Sequence, residues 1–181
     1  SGGDIASMKL DGFATLYMDK LLALKGLYKD LSQEDEMVHN LNHCTFNLHT
    51  RAASIDTCLH GYVPYAHVDH VHSDAVIAIA ASKDSEKLTK EVFGTEMGYL
   101  PWQRPGIDLG IKLGKMAAEH PEYVGVVLGS HGLFTWAKTA KECYETTLRI
   151  INKAATWLDK NGRKPAFGGE AVKSLSPAER Q

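Results

Sequence analysis

Two short apolar segments that flank a tight turn constrain the fold of this chain most. Residues 123–128 (YVGVVL) and 133–137 (LFTWA) have the length and the β-branched or aromatic content of buried strands. Between them lies the turn Gly129-Ser130-His131-Gly132. Its glycines allow backbone angles that other residues resist, so the turn can present a side chain at a sheet edge. The pattern predicts two strands joined by a turn that exposes His131.

A further strand is predicted around two histidines separated by one residue, His70 and His72, in the segment HVDHVHS. Residues i and i+2 of a strand point to the same face, about 6.5–7 Å apart. Two imidazoles at that separation can bind one metal ion, and His131 is the natural third ligand because loops beside a rigid sheet commonly carry ligands. His67 falls on the opposite face. Taken alone, such a histidine pair is more often exposed or hydrogen-bonded than metal-bound.

Most of the other segments of the chain have patterns that predict helices, and only one further short strand is indicated. Strands and helices alternate without a regular βαβ order, which favours a mixed α/β or α+β layered architecture over a doubly wound sheet. Residues 74–81 could also form a strand. Helices are predicted at residues 11–30, 32–46, 54–60, 74–81, 85–93, 107–119 and 139–158, and a short strand or extended segment at residues 99–102.

Composition narrows the class of protein. With 44% apolar and 23% charged residues, the chain can form one core, and a net charge of −2 gives no reason to expect a nucleic-acid partner. The apolar runs are too short for a membrane span. Three cysteines without a CxxC spacing favour reduced thiols in a cytoplasmic protein. Residues 1–160 are expected to form one domain, and residues 161–181 a tail or linker.

Two motifs together resemble the class II aldolase/adducin family: residues 67–76 (HVDHVHSDAV) and residues 128–136 (LGSHGLFTW). Three longer stretches, residues 1–24, 51–82 and 98–110, are similar to one branch of that family. In this branch, the rhamnulose-1-phosphate aldolase/alcohol dehydrogenases, an aldolase-like domain precedes a short-chain dehydrogenase domain. The resemblance covers roughly residues 1–165.

The resemblance implies a fold and a metal site. The fold is a three-layer α/β/α architecture with a central, mostly antiparallel sheet, assembled as a homo-oligomer, usually a tetramer. The family's metal-binding histidines fall on His70, His72 and His131, which implies Zn²⁺ or another divalent metal. Its acid/base glutamate falls on Asp56, whose side chain is one methylene shorter.

The resemblance also implies a substrate phosphate site at Gly2, Gly3 and Ser54. The family's Gly-Asn-x-Ser phosphate loop does not occur in the sequence, so we expect the chain to begin after it. The implied reaction is zinc-dependent retro-aldol cleavage of a ketose 1-phosphate, such as rhamnulose 1-phosphate, to dihydroxyacetone phosphate and lactaldehyde. No G-x-G-x-x-G motif occurs in this chain, so it has no visible nicotinamide site of its own. A dehydrogenase domain following the tail would therefore oxidise the aldehyde.

Two other functions remain open at this point. A sugar-phosphate 4-epimerase would use the same residues to break and re-form the same type of bond. An adducin-like interaction module would lack catalysis, although such a module has no need of three convergent histidines. A zinc hydrolase is less well supported, because the sequence contains no His-Glu-x-x-His helix.

Overall fold

The computed structural model describes residues 5–9, 12–46, 52–162, 172–173 and 175–180. Within these residues one four-stranded sheet forms the centre, with the strand order β1-β4-β3-β2. Two of the three strand pairs are antiparallel and β2 pairs with β3 in parallel, which confirms the expected mostly antiparallel sheet. The strands are β1 (His67–Val71), β2 (Met97–Leu100), β3 (Gly125–Leu128) and β4 (Gly132–Ala137).

Helices cover both faces of the sheet. Helices α3 and α6 share one apolar cluster with Val126 and Phe134, while α4, α5 and α7 share another with Val127 and Leu133. Alternate strand residues therefore point into different layers, as the period of a strand requires, and the three-layer prediction is confirmed. The helices are α1 (Met18–Ala23), α2 (Glu34–Asn40), α3 (Thr57–Gly61), α4 (Asp74–Ala80), α5 (Ser85–Phe93), α6 (Ile107–Glu119) and α7 (Ala140–Asn161).

The long helix predicted for residues 11–30 is wrong. Only α1 is α-helical there, followed by one 3₁₀ turn at Leu24–Gly26. Upstream, the backbone is used in a non-local pairing: the N–H of Tyr17 donates to the carbonyl of Cys44 (2.8 Å), and the N–H of Phe46 donates to the carbonyl of Thr15 (2.8 Å). Residues whose backbone is paired in this way cannot also continue a helix.

Other helices differ from prediction at their ends, and α7 extends three residues further than expected, to Asn161. Of residues 32–46, only α2 is α-helical, and 3₁₀ turns at Leu31–Gln33 and Leu41–Cys44 flank it. Helix α3 begins at Thr57, three residues later than expected. The helix at residues 107–119 agrees with prediction, and Thr139 caps α7 by accepting a hydrogen bond from the N–H of Glu142.

A buried carboxylate links α2 to the start of α6. Glu34 is 3% exposed, and its two oxygens accept hydrogen bonds from the N–H groups of Ile107 (3.0 Å) and Asp108 (2.9 Å). These N–H groups have no partner within their own helix, so Glu34 satisfies them from a distant part of the chain. A Cβ atom at Gly106 would collide with this carboxylate, which explains a glycine directly before α6.

Replacing Glu34 with alanine is expected to lower the free energy of unfolding by roughly 2–3 kcal/mol, because one buried and one partly buried N–H group lose a charged acceptor. Urea denaturation followed by circular dichroism measures the change. Glu36→Ala is the matched control, since Glu36 is an exposed acid in the same first turn and should contribute less than about 1 kcal/mol. Equal effects of the two substitutions would contradict this role for Glu34.

No helix in the described parts of the chain is long and apolar enough to cross a membrane. Cys44, Cys58 and Cys143 are free thiols and all three are buried.

Candidate metal centre

Three imidazoles that are distant in sequence converge at one edge of the sheet. His70 lies in β1, His72 follows the end of that strand, and His131 lies in the turn between β3 and β4. One ring nitrogen from each lies within 4.8 Å of the other two, and the Nε2 atoms of His70 and His72 are 3.0 Å apart. His67 is exposed on β1 and does not belong to this group. The structure thus brings together the three histidines named from the sequence.

Strand pairing explains this convergence. The last residue of β1, Val71, lies opposite Leu133 near the start of β4, so the end of one strand meets the start of the other. The N–H of Ser130 donates to the carbonyl of Ala80 in α4 (2.7 Å), which anchors the turn, and Ser130 has a left-handed φ of 54°. A Cβ atom at Gly132 would lie 2.6 Å from the ring of His72. Only glycine therefore lets the turn approach the histidines this closely.

The His70 ring is held in the form that a metal ligand needs. Its Nδ1 donates to the carbonyl of Leu133 (3.0 Å), which leaves the lone pair of Nε2 facing the Nε2 atom of His72. Burial lowers the pKa of His70 to about 4, although the Leu133 carbonyl and the charge of Asp56 act in the opposite direction. The neutral ring is thereby favoured, and neutral imidazole is the species that binds metals.

His131 supplies an independent indication that a cation fits here. Its Nδ1 is buried and has no hydrogen-bond partner among the residues described. Burial lowers the pKa of His131, opposed by the negative charge of Asp56. A buried nitrogen without a partner carries a desolvation cost, which an ion held at that atom would offset. Three imidazoles with one open side match the donor set of catalytic zinc sites, so these residues fit a divalent metal.

Asp56 directly precedes α3 and is half-buried. Its charge acts on both His70 and His131. The hydroxyl of Ser54 donates to Oδ2 of Asp56 (3.3 Å) and accepts from the Asp56 N–H (3.2 Å). Oδ1 is buried and has no partner within the described part of the chain. Ser54 thus holds Oδ2 of the carboxylate, while Oδ1 is available to bind another group.

The remaining predicted residues have different outcomes. Ser54 contacts Asp56, and its role in binding a phosphate stays a prediction. Gly2 and Gly3 lie outside the described residues.

Sequence reasoning missed two rings that pack around His70. Phe134 stacks on the His70 ring at 4.1 Å with an interplanar angle of 10°. His60 meets Phe134 edge-on at 5.3 Å, and its Nδ1 donates to the carbonyl of Val68 (3.1 Å). Phe134 was predicted only as part of a buried strand, because the sequence does not reveal which residue lies opposite His70.

The fold and the site together define the class of protein. The family model for the class II aldolase and adducin N-terminal domain matches residues 22–158, and the chain therefore belongs to this family.

Two relatives show the range of the similarity. The chain is 33% identical over 182 residues to the uncharacterized oxidoreductase YuxG of Bacillus subtilis (strain 168), and the match spans all of this chain but 26% of that protein. The N-terminal class II aldolase domain of a conserved protein from Thermoplasma acidophilum superposes with a TM-score of 0.77 at 28% identity. That superposition covers 87% of this chain and 72% of the other.

Proposed function

We propose that this chain is an aldolase domain that catalyses metal-dependent retro-aldol cleavage of a ketose 1-phosphate. Rhamnulose 1-phosphate is the leading substrate, with dihydroxyacetone phosphate and lactaldehyde as products. The observation that carries the proposal is the convergence of His70, His72 and His131 beside the carboxylate of Asp56. Membership of the class II aldolase and adducin family supports it.

The three imidazoles would hold Zn²⁺ or another divalent ion through their neutral rings. When bound, such an ion acts as a Lewis acid and stabilises the negative charge that develops on the substrate oxygens as the carbon–carbon bond breaks. The chain contributes the fixed geometry: the Leu133 carbonyl orients His70, and Gly132 leaves room for the turn beside His72. Ligands held in place before substrate arrives need no reorganisation during the reaction.

Asp56 is the proposed general acid/base. Such a group has to lie within hydrogen-bond reach of the proton that it transfers. Ser54 holds Oδ2, so the free oxygen, Oδ1, is the atom that would take up and return the proton. Ser54, together with the backbone at Gly2 and Gly3, is proposed to bind the substrate phosphate.

The wider context of the domain is also proposed. The matched region spans about a quarter of the Bacillus subtilis relative, which is described as an oxidoreductase. A dehydrogenase domain in the same protein would oxidise the lactaldehyde that cleavage releases. We propose a cytoplasmic homotetramer that acts on a small sugar phosphate.

The test measures metal content and products together. The full-length protein, loaded with Zn²⁺, is incubated with rhamnulose 1-phosphate, and dihydroxyacetone phosphate is detected with a coupled enzyme. We expect about one metal ion per chain and release of dihydroxyacetone phosphate. Recovery of a 4-epimer without cleavage would replace the aldolase with an epimerase that uses the same site. Absence of stoichiometric metal would contradict both and leave a non-catalytic interaction module.

A further inference from the structure

The ring of His70 is held both by a hydrogen bond and by packing against an aromatic side chain. Phe134 lies directly opposite His70 in the β1–β4 pairing and covers one face of the imidazole in a nearly parallel stack at 4.1 Å. Phe134 itself is 0% exposed. Since the Leu133 carbonyl already holds Nδ1, the ring can neither tilt away from Phe134 nor rotate about its own axis without losing a contact.

His60 lies to the side of this stack and contacts both of its rings. Its ring meets Phe134 edge-on at 5.3 Å and meets His70 at 6.3 Å with an interplanar angle of 70°. Its Nδ1 donates to the carbonyl of Val68 (3.1 Å), in the strand that carries His70. A residue of α3 is thereby tied both to the backbone of β1 and to the ring that supports His70.

This packing has a consequence for the direction of Nε2. A metal ligand loses affinity when its ring is free to take other orientations, because the ordering then has to occur on binding. Groups behind the ligands commonly supply this order through hydrogen bonds. Here a hydrogen bond fixes one edge of the His70 ring and a buried aromatic plane fixes one face.

We infer that Phe134, braced by His60, is a positioning residue that holds the His70 imidazole in its metal-binding orientation. The inference rests on the proposed function, because it presupposes that His70 is a metal ligand. Neither residue contacts the ion or the substrate in this role. Both act through the His70 ring.

The test compares zinc affinity in matched variants, measured by competition with a chelating dye. Phe134→Leu keeps an apolar side chain in the cluster but removes the flat face. We expect its dissociation constant for zinc to rise about 10–100-fold, the range typical of groups that orient metal ligands. The absorption spectrum of the cobalt-substituted variant should also change, since the geometry around the ion is less well fixed.

Trp136→Leu is the matched control. Trp136 lies two residues further along the same strand, belongs to the same apolar cluster, and stacks on Tyr65 rather than on a histidine. It should lower the melting temperature while leaving zinc affinity and the cobalt spectrum unchanged. A role for Phe134 in stability alone predicts the same behaviour for both variants.

His60→Asn provides a second variant that disturbs the core less, because His60 is only partly buried. Asparagine keeps a short donor for the Val68 carbonyl but removes the ring, so zinc affinity should fall in the same direction by a smaller factor. Wild-type affinity in both Phe134→Leu and His60→Asn would overturn the inference while leaving the proposed function intact. A wild-type protein that binds no zinc would overturn the proposed function, and this inference with it.

Discussion

Replacing His72 with alanine is expected to weaken zinc binding by more than about 100-fold, since the loss of even an orienting group behind a ligand costs about 10–100-fold. His72 places its Nε2 3.0 Å from that of His70, so its removal leaves two imidazoles where three converge. The side chain is exposed, and the free energy of unfolding of the metal-free protein should change by less than about 0.5 kcal/mol. Isothermal titration with zinc measures the affinity, and urea denaturation measures the stability.

The matched control for this substitution is His67→Ala. His67 is an exposed histidine at the start of β1, the strand that leads to His72, but it lies outside the cluster. It should bind zinc as the wild type does. Retention of stoichiometric zinc by His72→Ala at wild-type affinity would remove His72 from the ligand set.

Replacing Asp56 with asparagine is expected to lower kcat by about 10²–10⁴-fold, the usual contribution of a general acid/base. Asparagine preserves the size of the side chain and can still accept the hydrogen bond from Ser54, but it cannot take up a proton at the position of Oδ1. Zinc should bind with nearly unchanged affinity, because the three histidines are untouched. Steady-state release of dihydroxyacetone phosphate and zinc titration on the same preparation distinguish these effects.

Asp159→Asn is a suitable control for charge, because Asp159 is an exposed carboxylate in the last turn of α7. It should leave kcat within about twofold of the wild type, since surface substitutions away from a site have small effects. If Asp56→Asn abolished zinc binding as well as turnover, Asp56 would be part of the metal site instead of an acid/base group.

The sequence predicted those elements whose signals are local. Helix α6 follows a Pro-Gly turn and has a clear amphipathic pattern, and its predicted bounds agree with the structure. The predicted strands at both ends of the Gly129–Gly132 turn are present, with β3 starting two residues later than expected. In each case the apolar period and the turn residues lie within a few positions of the element that they specify.

Where prediction failed, the determining contacts are non-local. The apolar residues before Met18 resemble a helix, but Thr15 and Tyr17 pair with a segment about 30 residues later. Glu34 is one of three consecutive acids near the start of the helix predicted for residues 32–46, whereas the structure buries it against the start of α6. No local pattern distinguishes these positions from exposed helical ones, because tertiary contacts override propensity.

The candidate site divides in the same way. We identified the three histidines from the spacing of His70 and His72 and from the glycines around His131, and the structure brings their rings together. Their role as ligands, and that of Asp56 in proton transfer, remain predictions that the experiments above address. The stack of Phe134 on His70 depends on the register between β1 and β4, which no feature within either strand specifies.

The positions of the histidines along the chain give a bound ion a second effect, on the unfolded state. His72 and His131 are about 60 residues apart in sequence, so one ion would join the two ends of a long loop that contains α4, α5, β2, α6 and β3. In the chain-entropy model, a covalent cross-link that closes such a loop lowers the conformational entropy of the unfolded chain, which raises its free energy by about 4 kcal/mol. A metal ion held by these side chains would act as a reversible cross-link, and a chelator would then remove its contribution to the stability of the domain.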